Sequence, residues 1–148
     1  MSRNANGKRS PTGGRFWDPR TRYSCVNPPW GELVAVNAST GDIAWRVPLG
    51  IFEELEARGI KTGTPSLGGA ISTAGNLVFI GATIDARFRA FDARTGKELW
   101  VDKLEVPAHS IPSTFMGKDG KQYVVVAAGG GGFLGSPRSD QLIAYRLK

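Results

Sequence analysis

His109 is the only histidine of this 148-residue chain and Cys25 its only cysteine. Imidazole or thiol chemistry would therefore have to be built around one residue of each type. An imidazole works as a base when a carboxylate or a Ser/Cys partner is held within hydrogen-bond reach. None is readable from spacing around Pro107-Ala108-His109, so His109 reads as a link residue before Ile111-Pro112. Cys25 has no cysteine to pair with and no Cys/His constellation around it. It reads as a small residue beside the Pro28-Pro29-Trp30 turn, and no metal site is expected. Gly129-Gly130-Gly131-Gly132-Phe133-Leu134-Gly135 invites a phosphate-loop reading, but no Gly-Lys-Ser/Thr follows and no helix opens there. A flexible surface loop and a mobile rim over a site both remain open for it. In Gly63-Thr64-Pro65-Ser66-Leu67-Gly68-Gly69-Ala70-Ile71 the paired glycines lack a Cβ and permit close approach to the backbone. The plainer reading is a turn that starts a strand.

The elements that position these residues come from a repeat. Leu33-Val34-Ala35-Val36-Asn37-Ala38-Ser39-Thr40-Gly41-Asp42-Ile43-Ala44-Trp45 returns as Phe88-Arg89-Ala90-Phe91-Asp92-Ala93-Arg94-Thr95-Gly96-Lys97-Glu98-Leu99-Trp100. A truncated third copy, Leu142-Ile143-Ala144-Tyr145, follows near the end. Each copy alternates like a half-buried strand, turns through Thr-Gly and ends a second strand in Trp. Asn37 and Asp92 are expected to cap the turns through nearby backbone N–H groups, and glycine supplies the positive φ. Asn37-Ala38-Ser39 matches a glycosylation sequon, read here as coincidence because it lies in that turn. One hairpin is marginal alone, so each must pack on a neighbour, with Trp45 and Trp100 at the junctions. Truncating either would cost about 3–5 kcal/mol if it were fully buried.

This is the logic of a β-propeller with four-stranded blades. The pattern predicts strands at 32–37 and 43–47, a whole blade at 70–73, 77–81, 87–92 and 97–101, then 112–115, 122–127 and 141–147. The fold class is all-β, a partial propeller of about two to two and a half blades, too few to close a ring of at least about four. Only 51–59, with Glu53, Glu54, Glu56 and Arg58 around Leu55, reads as helical.

Net charge is +6, but residues 1–22 carry Arg3, Lys8, Arg9, Arg15, Arg20 and Arg22 against Asp18. The charge belongs to a polar tail over 1–22, expected to be disordered at least to Gly14, ahead of blades over 23–148. No nucleic acid partner is expected. No apolar run approaches the ~20 residues of a membrane span, and the start lacks the apolar core of a secretory signal.

Several segments, in order, resemble the pyrroloquinoline-quinone (PQQ)-dependent dehydrogenases of the membrane-type quinoprotein glucose dehydrogenase kind. They are Cys25 to Asn37, Trp45 to Gly50, Gly63 to Phe79, Arg89 to Trp100 and Gly120 to Val126. The Ala-x-Asp-x-x-Thr-Gly-x-x-x-Trp element is similar to that family's tryptophan-docking motif. The resemblance implies the C-terminal part of an eight-bladed periplasmic oxidoreductase that oxidises a sugar or alcohol hydroxyl and passes two electrons to PQQ. It implies that Gly68, Gly69, Ala70 and Ile71 approach the cofactor, and that the glycine run at 129–135 lies on the same face. It also implies that the catalytic base, the Ca2+ ligands and most cationic contacts to the quinone lie on blades without counterparts here. The partners implied are those missing blades or other copies of the chain, and the chain alone is expected to be inactive. The alternative is a non-enzymatic propeller-repeat scaffold that binds proteins.

Overall fold

The computed structural model describes residues 18, 20–21, 23–132 and 134–146. Most of the basic tail, Phe133 and Leu147 lie outside the described residues. Near the tail's end, Asp18 Oδ1 accepts the N–H groups of Arg20 (2.8 Å) and Thr21 (2.7 Å), forming a turn.

Nine strands are described, in three antiparallel sheets. The first pairs β1 (Glu32–Val36) with β2 (Ile43–Pro48). The second runs β3 (Ala70–Ser72), β4 (Leu77–Ile80), β5 (Arg87–Asp92) and β6 (Glu98–Lys103), in that spatial order. The third orders β7 (Ser113–Met116), β8 (Gln122–Gly130) and β9 (Arg138–Arg146). The sheets are the expected half blade, full blade and three-quarter blade.

Two apolar clusters hold the sheets together, and strand alternation decides which residue joins which. In β4 and β5, Val78, Ile80 and Phe91 pack with Leu49, Leu33 and Val47 of the first sheet's side. Phe79, Phe88 and Ala90 pack the other way, against Val124, Val126 and Ala128 of β8. The middle blade is thus covered on both faces, which is why β5 is almost continuously buried. In β9, covered on one face, burial alternates residue by residue.

The structure departs from expectation at two places. The helix expected over 51–59 is a single turn, α1 (Glu53–Glu56); Phe52 gives it no side-chain cap and Gly59 turns away at φ 74°. Strands β8 and β9 extend further towards each other than expected, because a bulge at Ala128/Gly130 lets Gly130 still pair with Arg138.

Candidate functional site

Successive strands alternate in direction, so the tight turns gather at one end of each sheet and the longer links at the other. The links are 49–69, 81–86, 104–112 and 131–137. At the link end, leads that are separate in sequence come together. Gly68 has φ 137°, and a Cβ there would stand 2.9 Å from the His109 carbonyl oxygen. A Cβ on Gly69 would stand 3.0 Å from Ile111 Cγ1. Close approach does occur at both glycines, and the approaching group is the chain's own 104–112 link. Gly68 and Ala70 stay exposed, and β3 forms an edge of its sheet. Ile71 instead packs against the larger core cluster, so any ligand contact it makes is through its backbone.

The glycine run is a bend held at both ends. Gly130 N–H donates to Pro107 O at 2.9 Å, and Gly131 N–H donates to Pro137 O at 3.0 Å. Gly130, Gly131 and Gly132 have φ of 55°, 71° and 72°, a left-handed sequence that L side chains disfavour. A Cβ on Gly132 would lie 3.5 Å from Leu67 Cδ2, so the bend touches the turn that carries Gly68.

His109 joins the two. Its Nδ1 lies 3.2 Å from Leu67 O and its Nε2 lies 2.9 Å from Ser136 Oγ. Ser136 Oγ in turn reaches Gly131 O at 3.0 Å. Its hydrogen-bond partners are a carbonyl and a hydroxyl, not a carboxylate, so the ring lacks the orienting acid of a catalytic relay. Ser136 is invisible to spacing arguments, being 27 residues away in the chain.

A second cluster escaped the sequence reading. Arg89 is 3% exposed; its Nη2 pairs with Asp85 Oδ2, its Nη1 donates to Thr83 Oγ1 (3.1 Å), and its Nε donates to Glu98 Oε2 (3.0 Å). Burial pushes the Asp85 carboxyl up, but the hydrogen bonds and charge of Arg89 outweigh it, and the group is held below the usual carboxylate range. Asp85 Oδ2 also accepts Ile51 N–H at 2.9 Å, which ties two links together. Its only sequence signal is an arginine inside a strand buried on both faces. Nearby, Arg87 Nη2 donates to Glu53 Oε1 at 2.8 Å. Tyr145 O–H donates to Asp102 Oδ2 at 2.7 Å, and burial together with that bond pushes the phenol well above its ordinary range. These carboxylates are engaged with partners in the chain, and among the described residues no group of three His, Cys, Asp or Glu is placed to hold a metal.

Residues 2–124 match the family model described as glucose/ethanol/alcohol dehydrogenase, beta-propeller domain, of the PQQ type. A probable quinate dehydrogenase (quinone) of Xanthomonas campestris pv. juglandis is 47% identical over 131 residues, covering 83% of this chain and 16% of that protein. Quinoprotein glucose dehydrogenase A of Acinetobacter calcoaceticus is 40% identical over 128 residues, with the same two coverages. Among solved structures, a europium-containing methanol dehydrogenase superposes with a TM-score of 0.54 at 34% identity, over 67% of this chain and 15% of that one. The chain thus spans about 16% of the length of these curated relatives.

Gly68 and Ala70 are exposed on the edge of the middle blade, flanked by Leu67 and by Ile111, which is 68% exposed. Of the arginines on neighbouring links and strands, Arg87 pairs with Glu53 and Arg89 with Asp85 and Glu98, while the Arg138 side chain packs along Gly131. The exposed turn residues fit van der Waals and backbone contact with a planar quinone such as PQQ.

Proposed function

The chain belongs to the PQQ-type glucose/ethanol/alcohol dehydrogenase propeller family, and from that premise we propose that it forms one wall of the quinone pocket. The dehydrogenase it serves oxidises a sugar or alcohol hydroxyl, in the manner of a glucose dehydrogenase, on the periplasmic side of a bacterial membrane. The observation that carries this reading is the convergence of Gly68, Ala70, His109 and the 130–132 bend at the link end of the blades. When bound, PQQ supplies the two-electron acceptance. The chain's own part is to present the exposed turn and edge strand as a flat surface, and to exclude water behind it with the cluster around Phe79, Phe88 and Val124.

The isolated chain is inactive on this reading, because it spans only about 16% of the length of its curated relatives. Its partners are further propeller blades, in the same polypeptide or from other copies of the chain. The test is dye reduction by the purified 148-residue chain with PQQ, Ca2+ and glucose, quinate or ethanol. We expect no turnover alone, and turnover once the remaining blades of a relative are supplied. Robust oxidation by the chain alone overturns the inactivity, and absence of PQQ fluorescence quenching in the completed protein overturns the pocket wall.

A further inference from the structure

Two alanines of the 81–86 link stand in the left-handed region, Ala82 at φ 49° and Ala86 at φ 54°. A Cβ crowds the following carbonyl there, so such a backbone persists only where its surroundings fix it. The residues between the two alanines do the fixing. Thr83 is fully buried, the Asp85 side chain is 3% exposed, and both bond the guanidinium of Arg89. Asp85 Oδ1 accepts Thr83 O–H (2.6 Å), Arg87 N–H (3.2 Å) and Arg89 Nη1 (3.2 Å). Its Oδ2 accepts Ile51 N–H at 2.9 Å together with Arg89 Nη2.

The strained residue also carries the turn. Ala82 is 1% exposed; its N–H donates to Ala108 O at 2.7 Å, and its carbonyl accepts Leu67 N–H at 2.8 Å. Ser66 and Thr83 form an antiparallel bridge beside it, and a Cβ on Gly68 would stand 3.4 Å from Ala82 Cβ. Rotation of Ala82 to the right-handed region would turn its N–H relative to its carbonyl, so it could not serve Ala108 and Leu67 at once.

From this geometry we propose that Asp85 and Arg89 are positioning residues. Their buried pair holds the 81–86 link in its left-handed form, and Ala82 thereby sets where the Leu67–Gly68 turn stands against the 104–112 link. A buried ion pair contributes little net stability once desolvation is counted; its product here is one fixed backbone. An apolar pair of the same volume would leave the Ile51 and Arg87 N–H groups without this acceptor. That the turn so placed meets the quinone rests on the reading of this face as a pocket wall; the positioning itself does not.

Hydrogen exchange of the 148-residue chain tests it, with the amides of the β8–β9 ladder as the standard for global opening. Asp85→Asn keeps an acceptor oxygen and loses the charge. Protection of the Leu67 and Ala82 amides should then fall about tenfold further than the standard, the scale of one hydrogen bond. Arg89→Lys keeps the charge and loses the fork, and should lower the same two amides by a smaller factor. Ala82→Gly removes the left-handed strain, so in the Asp85→Asn background it should restore most of the lost protection. Equal losses at Leu67, Ala82 and the standard, or no rescue by Ala82→Gly, overturn the proposal. If Asp85→Asn does not fold, the same two criteria are read from Arg89→Lys with and without Ala82→Gly. In the completed protein, PQQ affinity should fall and recover with the same variants. Loss of Leu67 protection at unchanged PQQ affinity would remove the pocket wall and leave the positioning standing.

Discussion

Trp45 and Trp100 end the same motif, and the two indoles meet different surroundings. Trp45 crosses to the next copy: its Nε1–H donates to Ala93 O at 2.9 Å, and its ring lies flat over Gly96. A Cβ on Gly96 would come within 2.6 Å of that ring. Trp100 rests edge-on against Phe88 at 6.2 Å and Tyr145 at 5.0 Å, and remains 39% exposed. The difference teaches that the Thr-Gly-x-x-x-Trp element carries two functions. It folds its own hairpin at both copies, and at Trp45 it also docks on a glycine and a carbonyl of the next hairpin.

The widest test of that separation compares two glycines at equivalent turn positions. Gly96 (φ 70°) lies beneath an indole, whereas Gly41 (φ 80°) has nothing within 4 Å of a Cβ. Gly96→Ala should destabilise by about 3 kcal/mol, combining overpacking with left-handed strain. Gly41→Ala should cost about 1 kcal/mol, strain alone. Equal losses in urea unfolding would mean the docking contact adds nothing to the turn. Smaller is the expected contrast between the indoles themselves. Trp45 is only half-buried, so Trp45→Ala should cost about 2 kcal/mol, below the range for a fully buried ring. Trp100→Ala should cost about half as much. Trp45→Phe isolates the Ala93 hydrogen bond at about 1 kcal/mol; a larger loss there than in Trp45→Ala would refute the assignment.

That comparison also marks what the sequence made legible. The repeat and its turns located all nine strands, alternation marked one-sided burial as in β9, and the boundaries erred where the β8 bulge lets pairing continue past Ala128. The glutamates of 51–59 suggested more helix than forms, since propensity without a cap or a buried face sustains one turn. The candidate turn at Gly68–Ile71 was legible as a place where backbones approach, but not which backbone approaches it. His109 looked idle because Ser136 reaches it only through the packing of one link on another. The Arg89–Asp85 pair was hidden for a related reason: nothing local announces that a strand with two arginines is covered on both faces.

The smallest expected effect separates the two turns by acid. Asn37 Oδ1 accepts Ser39 N–H at 2.9 Å, while Asp92 Oδ1 accepts the N–H groups of Arg94 (2.8 Å) and Thr95 (3.1 Å). Asp92 Oδ2 also accepts from Arg94 Nη2 at 3.0 Å. That side-chain bond, then the backbone bonds, hold the Asp92 carboxyl at about 2, below the ordinary 3.8. A carboxyl depressed on folding contributes stability that is fully present above its unfolded value, and that is lost as pH falls through the folded one. The second hairpin should therefore weaken between about pH 4 and pH 2, while the first, capped by an amide, has no titration there. Asp92→Asn should flatten this part of the stability–pH curve, and Asn37→Asp should add a new acid limb of the same sign. Because the Gly96 floor under Trp45 is built on the Asp92 turn, the indole's fluorescence should follow the Asp92 titration in the unmodified chain. If it stays constant while global stability falls, docking and capping are independent, and the motif's two functions are separable even within one hairpin.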